Sequence, residues 1–226
     1  MFFKQLQRET ETSRQGLFTA PIIVDTMQGR ITLKQYIAFL TQAYHHVRHT
    51  VPLLMATGSR LSESVAYSPI REALAHYIEE EVGHEEWILN DIAACGGDKE
   101  AVRNSRPDLP AELMVAFAYH QVDRKNPMGF FGMVHVLEGT STSIATAAAD
   151  RIQDTLGLPD NAFSYLRSHG SLDLEHVEFF EKLMNGVQSE QDRTEIIHCA
   201  HAFYRLYGNV FRGLPEYEEP VFAEVA

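Results

Sequence analysis

The segment from His169 to His176 carries the residues whose types and spacing are best suited to chemistry. It reads His-Gly-Ser-Leu-Asp-Leu-Glu-His, so His169, Asp173 and His176 follow one another at intervals of four and three residues. On an α-helix these positions fall on one stripe about 60° wide, because the helix has 3.6 residues per turn. Two imidazoles and a carboxylate on one stripe suit a transition metal that binds nitrogen and oxygen. If the stripe faces the core, leaving these groups without a metal or another partner costs several kcal/mol.

Two further helical segments carry donors that could meet this stripe. Residues 77–91 read as a strong helix containing Glu81 and His84, which are three residues apart and are therefore predicted to share a face. Residues 133–149 form a more apolar segment in which Glu138 is the one acid. Together the three segments offer six nitrogen and oxygen ligands, a set that resembles carboxylate-bridged di-iron sites inside helical bundles. The alternative interpretation is that the histidines are surface or hydrogen-bonded core groups and that the acids are solvated.

Composition limits the class of protein. The chain has 226 residues, 45% of them hydrophobic, which suits one domain with a sizeable core. With 31 acids and 19 bases its net charge is −12, so it lacks the basic footprint of a nucleic-acid-binding protein. No apolar run reaches membrane-spanning length, and the N-terminus does not read as a secretion signal. Two cysteines, Cys95 and Cys199, are consistent with a reducing cytoplasm.

Helical periodicity and the Gly and Pro positions predict an all-α chain of about seven helices in one domain. The predicted core covers about residues 32–207, and the tail from 213 to 226 is expected to be irregular. Pro52 predicts a kink near the end of the second helix, and Gly96-Gly97 predicts the end of the third. Loops are predicted at 16–30 and 99–110. The predicted helices are a short one at 2–15 and longer ones at 33–56, 70–95, 111–122, 128–155, 162–185 and 190–207.

Two patterns leave alternatives open. Small residues dominate 139–149, and they either allow close approach of another helix or leave room for a ligand. His45 and His49 are four residues apart and could reach a metal, although the favoured interpretation places them around the site or on the surface.

With its helix count, length and ligand spacing, the chain resembles the haem-oxygenase-like superfamily over about residues 32–207. Within it, the motifs are similar to those of the non-haem di-iron oxidases and oxygenases, a branch grouped with thiaminase-II-like and pyrroloquinoline-quinone-biosynthesis proteins. The resemblance implies a haem-oxygenase-like fold and two iron ions as cofactor. One departure concerns family members with Glu-x6-His in the third helix, because the residue seven before His84 is Tyr77. The metal ligands that the resemblance implies are Glu81, His84, Glu138, His169, Asp173 and His176.

The resemblance also disfavours two related activities. Thiaminase-II enzymes use a nucleophilic Cys in the middle of the fifth helix, where this chain has Glu138 and no Cys. Haem oxygenases use a proximal His near the start of the first helix, whereas the first His here is His45, in the second predicted helix.

The leading functional hypothesis is therefore an oxidase or oxygenase that uses iron and O2 to oxidise a small organic substrate. Two alternatives are a metal-free or one-metal protein that binds or converts a small heterocycle, and a non-enzymatic interaction protein. A homodimer is also predicted, because the tail aromatics Phe211, Tyr217 and Phe222 would be exposed on a monomer. The predicted substrate-binding residues are Tyr44, His45, Tyr77, Phe131 and Thr142.

Overall fold

Every regular element in the part of the chain that the structure describes is helical. The computed structural model describes residues 1–216, apart from the side chains of residues 170–176. The predicted all-α class is confirmed, although residues 1–216 form eleven α-helices where about seven are predicted for the chain. No helix of the described chain is long and apolar enough to cross a membrane. The helices are α1 (Phe2–Phe18), α2 (Pro21–Met27), α3 (Leu33–Val47), α4 (Thr50–Arg60), α5 (Ser68–Glu81), α6 (His84–Ala94), α7 (Lys99–Arg103), α8 (Leu109–Arg124), α9 (Phe130–Leu156), α10 (Ser164–Gly186) and α11 (Glu190–Arg212).

Local signals explain where several helices begin. Thr32 and Gln35 form a reciprocal capping box at the start of α3, in which each side chain binds the other residue's backbone N–H. The Ser189 side chain accepts a hydrogen bond from the Asp192 N–H at the start of α11. Pro21 occupies the first turn of α2, where a missing N–H costs nothing. These signals place α3 and α11 where the sequence predicts helices.

The extra helices come from breaks and short insertions that the periodicity does not reveal. The predicted loop at 16–30 is wrong, because α1 continues to Phe18 and α2 follows it. The predicted loop at 99–110 contains α7, which Asp98 caps by accepting from two backbone N–H groups. The predicted helix 33–56 is split at Arg48–His49 into α3 and α4. Pro52 explains this split, since a proline ring excludes the carbonyl four residues earlier from a regular helix.

A second break falls inside the Glu81–His84 motif. The predicted helix 70–95 is two helices, since α5 ends at Glu81 and α6 begins at His84. Gly83, between them, has a φ of +92°, a left-handed conformation that glycine adopts without the strain a Cβ adds. The prediction that Glu81 and His84 share a face of one continuous helix is therefore wrong, and the turn between two helices brings them together instead.

The long helix α9 lies centrally and packs against α10 and α11. Gly132 is the point of closest approach, because a Cβ built there would lie 2.6 Å from the Ala200 backbone nitrogen and 2.8 Å from the Ile196 carbonyl oxygen. α1 in turn packs along α11. A glycine at position 132 therefore allows the backbones of α9 and α11 to meet.

The tail aromatics give limited support to the predicted dimer. Phe211 is 7% exposed, so its predicted exposure is wrong. It packs on Tyr207 at a ring-centroid distance of 4.7 Å and stacks on Phe39 at 5.9 Å. Tyr217 and Phe222 lie outside the described residues. The homodimer stays a prediction.

We predict that two glycine substitutions in α9 have opposite effects on stability. Gly132→Ala should lower the free energy of unfolding by about 2–3 kcal/mol, because the new methyl group overlaps the α11 backbone. Gly139→Ala should leave it unchanged or raise it by about 0.5–1 kcal/mol, because a Cβ at that helix-interior position meets no atom within 4 Å. Urea denaturation of the two variants, followed by circular dichroism, makes the comparison. Equal effects at the two positions would contradict this packing.

Candidate functional site

The junction between α5 and α6 brings two predicted ligands into contact. Nδ1 of His84 lies 3.1 Å from Oε2 of Glu81, and the two side chains are 5% and 13% exposed. The His84 ring stacks on Trp87 at a centroid distance of 3.9 Å, which fixes the plane of the imidazole. The chain thus holds a carboxylate and an imidazole together in a largely buried position.

His169 of α10 lies beside this pair. Its ring meets that of His84 edge to face, with centroids 5.2 Å apart. Tyr165, one helical turn earlier, packs against His169 at 4.9 Å. Three of the predicted ligands, from α5, α6 and α10, therefore lie side by side.

Glu138 approaches the same region from α9. Tyr77 of α5 lies close to the Glu138 carboxylate, and both residues face the same space. Burial raises the pKa of Tyr77, and the charges of Glu138, Glu80 and Glu81 raise it further, so the phenol keeps its proton. Tyr77 is the residue seven before His84, and in the structure it lies beside another predicted ligand.

These groups surround an internal space that we call the inner cavity. Its volume is about 90 Å³. Glu81, Glu138 and His169 line it, together with His46 and Tyr77. The remaining lining is mostly apolar and comes from α3, α4, α9 and α11: Val47, Thr50, Leu54, Phe130, Met133, Val134, Leu137, Ser141, Tyr165 and Tyr207.

The structure thus brings together Glu81, His84, Glu138 and His169. Asp173 and His176 belong to α10, but their side chains are outside the described set. Among the side chains that are described, no group of three or more His, Cys, Asp or Glu forms a ready metal site. The six-residue ligand set stays a prediction.

His46 also lines the inner cavity, and the sequence leaves open whether it joins the site. It is 2% exposed, and its Nδ1 has no hydrogen-bond partner among the described residues. Burial lowers its pKa to about 3, and the nearby His169 adds to this effect, so the ring is neutral at pH 7. The spacing could have identified it, because His46 follows Phe39 and Ala43 at intervals of four and three on the buried side of α3.

The two other histidines of this region point to different partners. Nε2 of His45 lies 2.9 Å from the Ser105 hydroxyl, and Nδ1 of His49 lies 3.1 Å from the Tyr119 hydroxyl. Neither lines the inner cavity. These contacts agree with the interpretation that His45 and His49 lie away from the predicted metal.

The predicted substrate-binding residues divide between the inner cavity and other places. Tyr77 lines the inner cavity, but Tyr44 and Phe131 do not. Tyr44 lies beneath the Arg48 guanidinium, and Phe131 is fully buried against Phe180. Thr142 donates to the backbone carbonyl of Glu138 and lines a larger polar cavity beside α1. His45, as described above, also lies elsewhere, so the substrate role of these four residues has no geometric support from the inner cavity.

The donor set around the inner cavity fits iron. Neutral imidazoles and carboxylates are the ligands that non-haem iron accepts. Nδ1 of His46 is buried and has no hydrogen-bond partner among the described residues. Buried polar atoms normally have partners, so this nitrogen favours a site that accepts another group.

Comparison with known proteins identifies the family. The sequence profile of a family described as iron-containing redox enzyme matches residues 37–208. The chain belongs to this family. The matched range of this iron-containing redox enzyme family includes all six predicted ligands and begins after α1 and α2. A comparison with curated protein sequences finds no match.

Solved structures confirm the haem-oxygenase-like fold. A domain of unknown function with a heme oxygenase-like fold from Shewanella denitrificans has a TM-score of 0.85 and 22% identity, over 93% of this chain and 90% of that chain. A TenA homolog from Pseudomonas syringae pv. tomato has a TM-score of 0.76 and 12% identity, over 95% and 92%. Heme oxygenase-1 from the cyanobacterium Synechocystis, in complex with heme, has a TM-score of 0.74 and 12% identity, over 94% and 91%. At these identities the likeness concerns the fold alone.

A buried aspartate of α6 positions the helix that carries His169. Asp91 is fully buried and accepts hydrogen bonds from the backbone N–H groups of Ser164 and Tyr165, at 3.0 and 2.8 Å, and from the Ser164 hydroxyl. These N–H groups belong to the first turn of α10, where a carboxylate is favourable because the N–H groups have no partner within the helix. Asp91 therefore fixes α10 on α6, one turn before His169.

We predict that Asp91→Ala lowers the free energy of unfolding by about 3 kcal/mol, because it leaves buried donors of α10 unpaired. A matched control is Asp98→Ala, which removes a carboxylate that caps the surface helix α7 and should cost only about 1 kcal/mol. Chemical denaturation of both variants, monitored by circular dichroism, measures the difference. A loss at Asp91 no larger than the loss at Asp98 would contradict the positioning role.

Proposed function

We propose that this protein is a non-haem di-iron oxidase or oxygenase that activates O2 and oxidises a small organic substrate. The observation that carries the proposal is that Glu81, Glu138 and His169 line the inner cavity, while His84 contacts both Glu81 and His169. Membership of the iron-containing redox enzyme family supports it independently.

The iron ions would be held by the four clustered residues together with Asp173 and His176 of α10. Glu81, Glu138 and Asp173 contribute three negative charges, which offset most of the four positive charges of two ferrous ions. The imidazoles of His84, His169 and His176 complete the set as neutral nitrogen donors. Mixed carboxylate and imidazole ligation suits iron better than a set of either kind alone.

When bound, ferrous iron would supply the electrons for O2 reduction, and the residues of this chain would control where the reaction occurs. The lining of the inner cavity is mostly apolar, so it limits water around the reacting groups. Tyr77 keeps its proton beside the Glu138 carboxylate and is available to donate to a group that binds in this cavity. Of the two tyrosines that the sequence offers as proton or electron donors, Tyr77 and not Tyr44 lines this cavity.

Two related activities of the superfamily fit these residues less well. A cysteine nucleophile needs an accessible thiolate, but both cysteines are buried, and burial raises the pKa of Cys95 to about 11 and that of Cys199 to about 12. A haem would have to occupy a space of porphyrin size, whereas the inner cavity has a volume of only about 90 Å³. Both observations favour non-haem iron.

Iron stoichiometry tests the proposal. Iron-free protein is reconstituted anaerobically with Fe(II), iron per chain is measured, and absorbance is recorded when air is admitted. The wild type should bind two irons per chain and show an oxidation-linked change in absorbance. Glu81→Gln and Asp173→Asn should each bind at most one and lose the reaction with oxygen, because each removes a charge that offsets the metal.

Glu79→Gln is the matched control, since Glu79 is exposed on the same helix two residues before Glu81. It should bind iron as the wild type does. Thermal melts of the iron-free proteins should be similar for all variants, which separates ligand loss from misfolding. Wild-type protein that binds no iron, or a Glu81→Gln variant that keeps two, would refute the ligand assignment.

A further inference from the structure

A second internal space, which we call the outer cavity, lies next to the inner one. Its volume is about 80 Å³, and α2, α3, α9, α10 and α11 enclose it. Isoleucines from α2 and α9 and aromatic rings from α3, α10 and α11 supply most of its wall, including Ile22, Ile144, Phe39 and Tyr165. The outer cavity is therefore mainly apolar.

The two cavities meet at a common wall. Ser141, Tyr165, His169 and Tyr207 line both of them. His169 is a predicted iron ligand, so a molecule in the outer cavity would lie against the reactive end of the inner cavity. The outer cavity consequently has the position of a substrate pocket.

The small residues of α9 create part of this space. Ala145 and Ala148 line the outer cavity, whereas Ala149 is fully buried in the packed core and does not line it. The sequence leaves open whether this run allows helix packing or room for a ligand. The structure shows that it does both, at different positions around the helix.

The lining chemistry restricts what can bind. No Asp, Glu, Lys or Arg is among the described residues that line the outer cavity. A carboxylate or ammonium group placed there would lose its hydration without gaining a charged partner, which costs several kcal/mol. An uncharged, mainly apolar molecule avoids this penalty and gains from contact with the isoleucines and aromatic rings.

His46 offers one polar contact at the inner end. It lines the inner cavity, is 2% exposed, and has an Nδ1 atom without a hydrogen-bond partner among the described residues. Its edge-to-face packing on Tyr207, at 5.6 Å, places it next to the wall that the two cavities share. A buried, unsatisfied imidazole in this position is suited to bind a single hydroxyl or carbonyl group of a ligand.

We propose that a small, uncharged, mainly apolar substrate occupies the outer cavity and reaches past the shared wall into the near side of the inner cavity, where His46 makes its polar contact. The oxidation of this substrate rests on the proposed function, whereas its binding does not. Each cavity alone is smaller than the engineered apolar cavity of about 150 Å³ that binds benzene. Together they match a single ring or a short aliphatic chain.

Direct binding to iron-free protein tests the substrate class. Three probes of similar size are titrated by calorimetry: toluene, benzyl alcohol and benzoate. Toluene and benzyl alcohol should bind, and benzoate should bind at least tenfold more weakly. Failure of the neutral probes to bind the wild type, or equal binding of benzoate, would overturn the proposal.

Filling the outer cavity provides the structural test. Ala148→Phe should weaken toluene binding at least tenfold, because the new ring occupies the space of the probe. Ala147→Phe, on the exposed side of the same helix, is the matched control and should bind toluene like the wild type. Equal affinity of Ala148→Phe and the wild type would show that the probe binds elsewhere.

Iron per chain is measured on the same preparations, so the two proposals can fail separately. Ala148→Phe should lose toluene binding while keeping wild-type iron content. Failure of the wild type to bind iron would count against the di-iron site, whereas the probe affinities would still test the substrate pocket.

The role of His46 is tested through probe preference. The ratio of the toluene to the benzyl alcohol dissociation constant should fall about fivefold in His46→Leu, which corresponds to the loss of one hydrogen bond. His45→Leu is the matched control, because His45 is equally buried on α3 but contacts Ser105. It should keep the wild-type ratio. An unchanged ratio in His46→Leu, in a variant that still binds toluene, would exclude this contact.

Discussion

The presence of carboxylates and imidazoles inside a helical core is the constraint on which the rest of this structure depends. Each such group costs several kcal/mol when it is buried without a partner. The protein meets this cost by grouping the polar side chains: Glu81 contacts His84, His84 meets the ring of His169, and Glu138 lies beside Tyr77. The surrounding helices consist largely of the apolar residues that keep this group enclosed.

The helices around this polar group are interrupted by a turn and held in place by specific contacts. The turn at Gly83 lets Glu81 and His84 face each other from two helices rather than along one. Asp91 fixes the start of α10 on α6, so the helix that carries His169 keeps its position relative to His84. Gly132 allows α11 to approach α9, which brings Tyr207 to the wall between the cavities.

The same arrangement provides both the site and the space next to it. Burial keeps His46 neutral and leaves one of its nitrogens unpaired, while the small side chains of Ala145 and Ala148 leave room along α9. A polar centre beside an apolar pocket suits oxidation of an uncharged substrate, because the pocket excludes the water that would compete for the reactive position. The superfamily fold supports several chemistries, so the side chains at this junction, rather than the fold, carry the functional inference.

The sequence by itself determined the all-α class and the positions of the long helices α9, α10 and α11, and it selected Glu81, His84, Glu138 and His169, which the fold brings close together. Helical periodicity, capping residues and the spacing of His and acidic residues are local properties, so they can be read from the chain. From Pro52 the sequence predicted a kink but not the full break at Arg48, and it did not reveal the break at Gly83, the helix α2, or the burial of Phe211.

Those features depend on contacts between residues far apart in the chain. Only the tertiary structure showed that His46 lines the site while His45 turns toward Ser105, although the two residues are adjacent. Only the tertiary structure showed that Ala149 packs in the core while Ala145 and Ala148 line the outer cavity. The physical reason is that a helical pattern specifies which residues avoid water, whereas the neighbouring helices decide what each buried residue meets.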